Sequence, residues 1–279
     1  MNPVLSSLIY VFVSCIMLFI SKVLFDIIAP FKVNEQVKEK NTTPIIAFCG
    51  YWVGITFVLI GAFAGPSNQV FKIDLLMYVL YALLGIVLVN LSGFITDKIM
   101  LNRFSTAKEM LEDKNIGTAA VHAGFYLATG LIVAACVNGE YGGLLSSIIY
   151  YLAGMVFLFI FIKIYDLITP SSIHEELEKD NYSVGIALAG NVVAIGLILM
   201  KATLGDVSDW HRGLVLYFVD LASIILLLPA VRLILGNVIV KNINKAIKEN
   251  NVAAGLIEFI GIICFALIIF FMVDFSALV

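Results

Sequence analysis

The stretch IHEELEKDNYSVGIALAGNVVAIGLILM, residues 173–200, decides the fold. Its opening carries Ile173 and Leu177 four residues apart, with charged residues around them. Positions four apart share a helix face, so this segment reads as a short amphipathic helix lying on a membrane surface. From Asn181 to Met200 no charged residue occurs. About 20 apolar residues are needed to cross a bilayer, so the second part reads as a span.

The same pattern recurs along the chain. Aligned on Asn41, Asn115, Asn181 and Asn251, the residues six places earlier are Glu35, Glu109, Glu175 and Lys245. Eight and four places earlier stand Val33/Val37, Ala107/Leu111, Ile173/Leu177 and Ile243/Ile247. Each pair predicts one apolar stripe on a short connector helix. Thr106-x-x-Glu109 and Ser172-x-x-Glu175 read as capping boxes that start two of these helices. Nine residues after the Asn come Gly50, Gly124 and Gly190, and thirteen after come Gly54, Ala128, Ala194 and Cys264. Small residues four apart let two membrane helices approach closely. The fourth copy departs, with Ile260 at the first of these places.

Eight apolar runs stand out, at about 4–28, 44–65, 75–97, 117–137, 143–168, 183–203, 213–238 and 252–273. They are continuously apolar instead of alternating, which predicts helices over barrel strands. The composition agrees: 61% of residues are hydrophobic and 13% charged, with a mean hydropathy of +1.04. The fold class is therefore an all-α integral membrane protein of about eight transmembrane helices, arranged as four helix hairpins. Asp26-Ile-Ile-Ala-Pro30 returns as Asp166-Leu-Ile-Thr-Pro170, 140 residues later. The chain divides into two four-span units, 1–140 and 141–279. An even number of spans per unit makes them parallel repeats, expected to be related by a pseudo-two-fold axis along the membrane normal. The bilayer is the partner this composition requires, and the net charge of −3 argues against nucleic acid.

Charge gives the orientation. Lys22, Lys32, Lys38 and Lys40 lie around the first connector, and Lys98, Arg103, Lys108 and Lys114 around the third. Lys163 and Lys179 flank the fifth, and Arg232, Lys241, Lys245 and Lys248 the seventh. Only Lys72, Lys201 and Arg212 of the 17 basic residues fall on the other side. By the positive-inside rule the connectors after odd spans are cytoplasmic and both termini lie outside. Met1-Asn2-Pro3 lacks a basic leader region, so the first run reads as a permanent span. Cys15, Cys49, Cys136 and Cys264 sit in apolar runs and read as buried small hydrophobes.

Two segments carry a family likeness. Asn34-Glu35-x-x-Lys38-Glu39-x-Asn41, followed by Ala47-x-x-Gly50, and Glu175-Glu-Leu-Glu-Lys-Asp-Asn181, followed by Gly185-Ile-Ala-Leu-Ala-Gly190, resemble the bacterial inner-membrane DUF350 family, also called UPF0719. A member typically has one four-span unit, so this chain looks like two units fused. The resemblance implies a multi-pass bacterial inner-membrane protein. It carries no activity, cofactor or site.

Ionisable and amide side chains at membrane depth are the candidate functional residues. Glu258 and His122 each stand seven residues after their Asn, and Arg232 lies at a depth similar to Glu258. The functional reading is an ion- or proton-sensitive site near the inner leaflet; the bland one is an ion pair joining helices. Glu258 is expected to face the interior and to pair with Arg232 or, less favourably, with His122. Asp220, Asn90 and Asn191 are also intramembrane, Pro229 is placed to kink its span, and interhelical hydrogen bonding is the simplest role for the two amides. Asp26 and Asp166 at the inner ends of spans 1 and 5 read as partners of Lys22 and Lys163. Gly50, Gly54, Gly124 and Gly190 are packing positions. No catalytic signature stands in a suitable context, no cofactor motif is present, and Asp209 beside His211 supplies too few ligands for a metal.

Two function classes remain: a channel or transporter for ions or small polar solutes, or a non-transporting scaffold or envelope-stress component whose connectors recruit a cytoplasmic protein. Either allows a homo-oligomer. An intramembrane enzyme is the weakest reading. The orientation predicts that a cysteine introduced at Gln36 resists an impermeant thiol reagent on intact cells, while one at Ser67 reacts. The opposite labelling pattern would overturn it.

Overall fold

A computed structural model of the chain describes residues 2–65, 67–99, 105–138, 143–169, 172–204 and 240–273, with isolated positions 215, 218, 219, 222 and 234. Asp209, His211, Asp220, Pro229 and Arg232 lie outside the described residues. Among the described residues there are eleven helices and no strand. They are α1 (Pro3–Ile28), α2 (Val33–Lys38), α3 (Thr42–Ala64), α4 (Phe71–Ile99), α5 (Thr106–Leu111) and α6 (Ile116–Asn138). Then follow α7 (Gly143–Ile168), α8 (Ile173–Glu178), α9 (Tyr182–Thr203), α10 (Ile243–Lys248) and α11 (Val252–Met272). Seven are long and apolar enough to cross a membrane: α1, α3, α4, α6, α7, α9 and α11.

The spans form two layers. α3, α6, α9 and α11 stand side by side in a row, each packed on the next. α1, α4 and α7 lie against that row: α1 on α3 and α4, α4 on α3 and α6, α7 on α6 and α9. The middle of the row, α6 and α9, is the most enclosed, whereas α1 presents Leu8, Val11, Phe12, Phe19 and Ile27 outward. That apolar face meets lipid chains.

Glycine sets the spacing within the row. The residue nine places after each Asn meets the residue eight places after the next Asn. Gly50 faces the backbone of Ala123, Gly124 that of Ala189, and Gly190 that of Phe259. A Cβ on Gly124 would fall 2.9 Å from Ala189 Cα, and one on Gly54 would fall 2.5 Å from the Tyr126 carbonyl. No side chain fits in that space. In α11 the corresponding place is Ile260, 55% exposed.

This geometry corrects the expected symmetry. The halves do repeat in parallel, but one front-to-back contact is used three times along an open row. A two-fold axis would return α11 to α3 through the contact that joins α6 to α9, and among the described residues those two helices share no such face. The reason is that the glycine face and its receiving face lie on opposite sides of each span, so a face cannot meet its own copy.

The connectors hold the row at one end. Each Asn caps the span that follows: Asn41 Oδ1 accepts from Thr43 N at 3.3 Å, Asn115 from Thr118 N at 3.0 Å, and Asn181 from Val184 N at 3.2 Å. The other half of the same amide reaches the next connector. Asn115 Nδ2 donates to the Leu177 carbonyl at 2.8 Å, and Asn181 Nδ2 to the Ile247 and Lys248 carbonyls at 3.2 Å each. Asn41 Nδ2 reaches the Met110 and Leu111 carbonyls at 3.4 and 3.5 Å. These carbonyls end short helices, where the helix itself supplies few donors; Leu177 and Ile247 also accept from the Asp180 and Asn250 backbone N–H groups. The residue before each Asn is left-handed: Lys40, Lys114, Asp180 and Asn250 have φ between 55° and 59°, though none is glycine. Such a conformation costs about 1–2 kcal/mol per residue, so the cap and cross-helix bonds must offset it four times.

Several sequence expectations change here. Ile173/Leu177 and Ile243/Ile247 are buried, but α2 buries Val33 and Gln36 and leaves Val37 outside, and α5 buries Thr106 and Met110. Gln36 is drawn in because Asn41 Nδ2 donates to its Oε1 at 3.0 Å, so the exposed Lys38 is the better labelling position on this connector. Neither capping box forms as drawn: Ser105 caps α5, and the Ser172 side chain makes no cap bond. Asp166 Oδ1 instead accepts from Ile173 N at 3.2 Å, as Asp26 Oδ1 accepts from Val33 N at 2.9 Å. Lys22 does pair with Asp26, while among the described residues Lys163 makes no ion pair with Asp166. Of the cysteines only Cys136 is buried; Cys15, Cys49 and Cys264 face outward.

Replacing Asn181 by Ala should lower the stability of the detergent-solubilised protein by about 1–3 kcal/mol. Asn181→Asp keeps the cap acceptor but has no N–H to donate, and should also melt early. An Asp variant as stable as wild type would mean that the cross-helix bonds contribute nothing.

Candidate functional site

Two buried polar clusters stand at equivalent places in the two halves. In the first, α3 supplies Tyr51, ten residues after Asn41, and α6 supplies His122, seven after Asn115. In the second, α9 supplies Asn191, ten after Asn181, and α11 supplies Glu258, seven after Asn251. The corresponding pair between α6 and α9 is Phe125 and Leu188, both buried. A dry contact therefore separates two polar ones, which marks each pair of hairpins as a unit.

In the second cluster Glu258 is 2% exposed. Its Oε1 accepts from the Tyr165 hydroxyl at 3.0 Å and from Asn191 Nδ2 at 3.1 Å. Asn191 also donates to the Ala187 carbonyl of its own helix at 2.9 Å. Glu258 thus faces the interior, and α9 lies between it and α6, so it does not meet His122. The preferred partner, Arg232, lies outside the described residues.

The first cluster is larger. Tyr51 donates to the Ser21 carbonyl at 3.0 Å and accepts from Asn90 Nδ2 at 2.9 Å. Asn90 Nδ2 also donates to the Ile86 carbonyl at 2.8 Å, so both amide hydrogens are used and only Oδ1 remains. Tyr126 packs edge-on to Tyr51, with ring centroids 5.3 Å apart. His122, 3% exposed, brings Nε2 to 3.2 Å from Asp97 Oδ1. That separation is an ion pair's, yet neither atom has a hydrogen-bond partner. The angle fails where the distance succeeds, so this is proximity without a bond. A cavity of about 80 Å³ opens here at the connector end, with Asn90, Asp97, Thr106, His122 and Tyr126 among its walls.

At the opposite end of the same helices lies a wider cavity of about 540 Å³ between α1, α3 and α4. Asp74 anchors it, accepting from the Tyr10 hydroxyl at 2.6 Å and from Asn68 N at 2.7 Å. Ser14 and Tyr78 share a hydroxyl hydrogen bond of 2.6 Å beside it. Met17, Ile55, Val58, Ala82 and Ile86 are fully or nearly fully buried in the same bundle. They stand between the level of Ser14 and that of Ser21, seven residues or roughly 10 Å of helix.

The inner-interface carboxylates divide. Burial raises the Glu109 carboxyl above its ordinary range, and the bond from Asn115 Nδ2, 3.0 Å to Oε2, opposes that rise. Glu35 is exposed and pairs with Lys32 at 3.6 Å. Glu175 is exposed, and Asn181 selects its neighbour Glu176, at 2.9 Å. Asn251 caps α11, accepting from Ala253 N at 3.1 Å, and its carbonyl receives the Ser183 hydroxyl at 2.7 Å. Sequence reading missed Asp74, Asp97, Tyr51, Tyr126 and Tyr165. Comparing the tenth residue after each Asn would have paired Tyr51 with Asn191.

Glu258→Gln keeps a carbonyl oxygen for Tyr165 and Asn191 and should cost little stability by thermal melting. Glu258→Leu removes the acceptor from both and should cost more, about 1–3 kcal/mol per lost buried bond. Equal melting of the two variants would mean that these bonds do not hold α7, α9 and α11 together.

The family model described as Domain of Unknown Function (DUF350) matches residues 1–137 and again residues 140–273. A UPF0719 transmembrane protein of Aquifex aeolicus (strain VF5) is 23% identical over 248 residues, 85% of this chain and 89% of that relative. No solved structure matches. With two family matches in tandem over seven membrane-length helices, the chain is a multi-pass membrane protein that belongs to the DUF350 family.

Proposed function

We propose that the chain is a channel or transporter for ions or small polar solutes in a bacterial inner membrane, with its connectors on the cytoplasmic side and both termini outside. The observation that carries this reading is the pair of cavities at opposite ends of one bundle, each with an aspartate in its wall: Asp74 at one end and Asp97 at the other. The acids favour cations, because a carboxylate at the mouth of a narrow cavity raises the local concentration of positive charge. Met17, Ile55, Val58, Ala82 and Ile86 form the barrier between the cavities, and passage requires α1 to move against α3 and α4. α1 is suited to that motion, since most of its surface meets lipid. The row of even spans supplies the fixed wall, because its glycine contacts leave no room between helices. No chemical step is needed, and the reading is not enzymatic.

Reconstituted into liposomes, the purified protein should dissipate gradients of a small cation faster than protein-free vesicles, and Asp74→Asn and Asp97→Asn should each slow it. Wild-type vesicles as tight as empty ones to sodium, potassium, ammonium, protons, chloride and urea would overturn transport. They would leave the scaffold reading, in which the charged connector surface recruits a partner.

A further inference from the structure

We infer that the connector-end cavity of the first half is a binding site for a small monovalent cation, held by Asp97 and His122. This deepens the transport reading by naming the solute class, and it concerns the resting site instead of the passage.

Two atoms here are buried, although the Asp97 side chain as a whole is 45% exposed. His122 Nε2 and Asp97 Oδ1 lie 3.2 Å apart, and neither is hydrogen-bonded. With its proton on Nδ1 a neutral imidazole offers this nitrogen as an acceptor, and a carboxylate is acceptor only. Two acceptors this close require positive charge nearby. A hydrogen placed on Nε2 does not point at Oδ1, so a proton on His122 would not by itself satisfy the pair. A cation lying beside the line between them would touch both.

Nearby charges are otherwise engaged. Lys22 on α1 is held by Asp26. Lys98, next to Asp97, stands over the Phe94 ring, 5.7 Å from its centroid. Thr106 on α5 contributes no charge, and Tyr126 completes the α6 side. Among the described residues His122 is therefore the only ion-pair neighbour of Asp97.

Size and charge select the ligand class. A cavity of about 80 Å³ has room for one small ion with its water. A single carboxylate balances a single charge. Divalent ions call for more: calcium takes 6–8 oxygen ligands, and no group of three or more His, Cys, Asp or Glu exists among the described residues. Among the described residues the equivalent place in the second half is built differently: Glu258 there accepts from Tyr165 and Asn191.

The test is thermal melting of the detergent-purified full chain in sodium, potassium, ammonium or choline chloride at equal ionic strength. One of the three small cations should raise the melting temperature saturably above choline. Asp97→Asn and His122→Leu should each weaken the apparent affinity about tenfold or more, the factor carried by one lost contact to a charged group. Leucine is chosen because Leu188 occupies this place in the third hairpin, so the variant should fold even if Asp97→Asn does not. Equal shifts in all four salts, a shift that follows pH and ignores the cation, or a cation-specific shift surviving in both variants would each overturn the site. Specific binding without vesicle flux would sink transport alone, and flux without binding would sink this site alone.

Discussion

A primary amide is both acceptor and donor, and this protein uses both ends of one side chain at every junction between hairpins. Asn41, Asn115 and Asn181 each start a span with Oδ1 and close the following connector helix with Nδ2. A six-residue helix has little stability of its own, since most of its backbone groups are terminal. Neighbouring hairpins are therefore needed to satisfy each other. Aspartate would lack the donor, and serine or threonine would lack the reach. The left-handed residue before each Asn turns the chain so that the amide points both ways, and its local cost is spread over the bonds it permits.

The hook fixes the hairpins at one end, and the glycines carry that registration along the membrane. Lipid offers little hydrophobic drive for helix pairing, so close contact between backbones must supply it. Gly50, Gly124 and Gly190 do so with one repeated geometry. The consequence for function is one of exclusion. A row in which backbone touches backbone has no seam for a solute, and among the described residues two polar cavities open where α1 and α4 meet the row.

Much of the fold was legible because its causes are local. Hydrophobic length, charge bias and the Asn register reveal spans, connectors and hairpins without knowledge of contacts. The two-fold arrangement was misjudged because symmetry depends on which faces meet, and a glycine at a given position does not reveal its partner. Val37 read as buried from its spacing to Val33, but the bond from Asn41 Nδ2 to Gln36 Oε1 within the same connector holds Gln36 inward. For the clusters, Glu258, His122, Asn90 and Asn191 were visible as polar residues in apolar runs. Asp97 and Asp74 were not, since each stands near a helix end where an acid is ordinary. Tyrosines escaped notice because in a membrane they serve equally as hydrophobes and as donors.

Ile260 stands where three earlier spans carry glycine, and its branched side chain covers the face on which a next helix would lie. Repeat arrays that grow by one repeated contact face an arithmetic hazard, because nothing in the contact says when to stop. Here a branched side chain fills the space that the contact needs, so a further helix could not meet α11 through the backbone approach that joins the earlier spans.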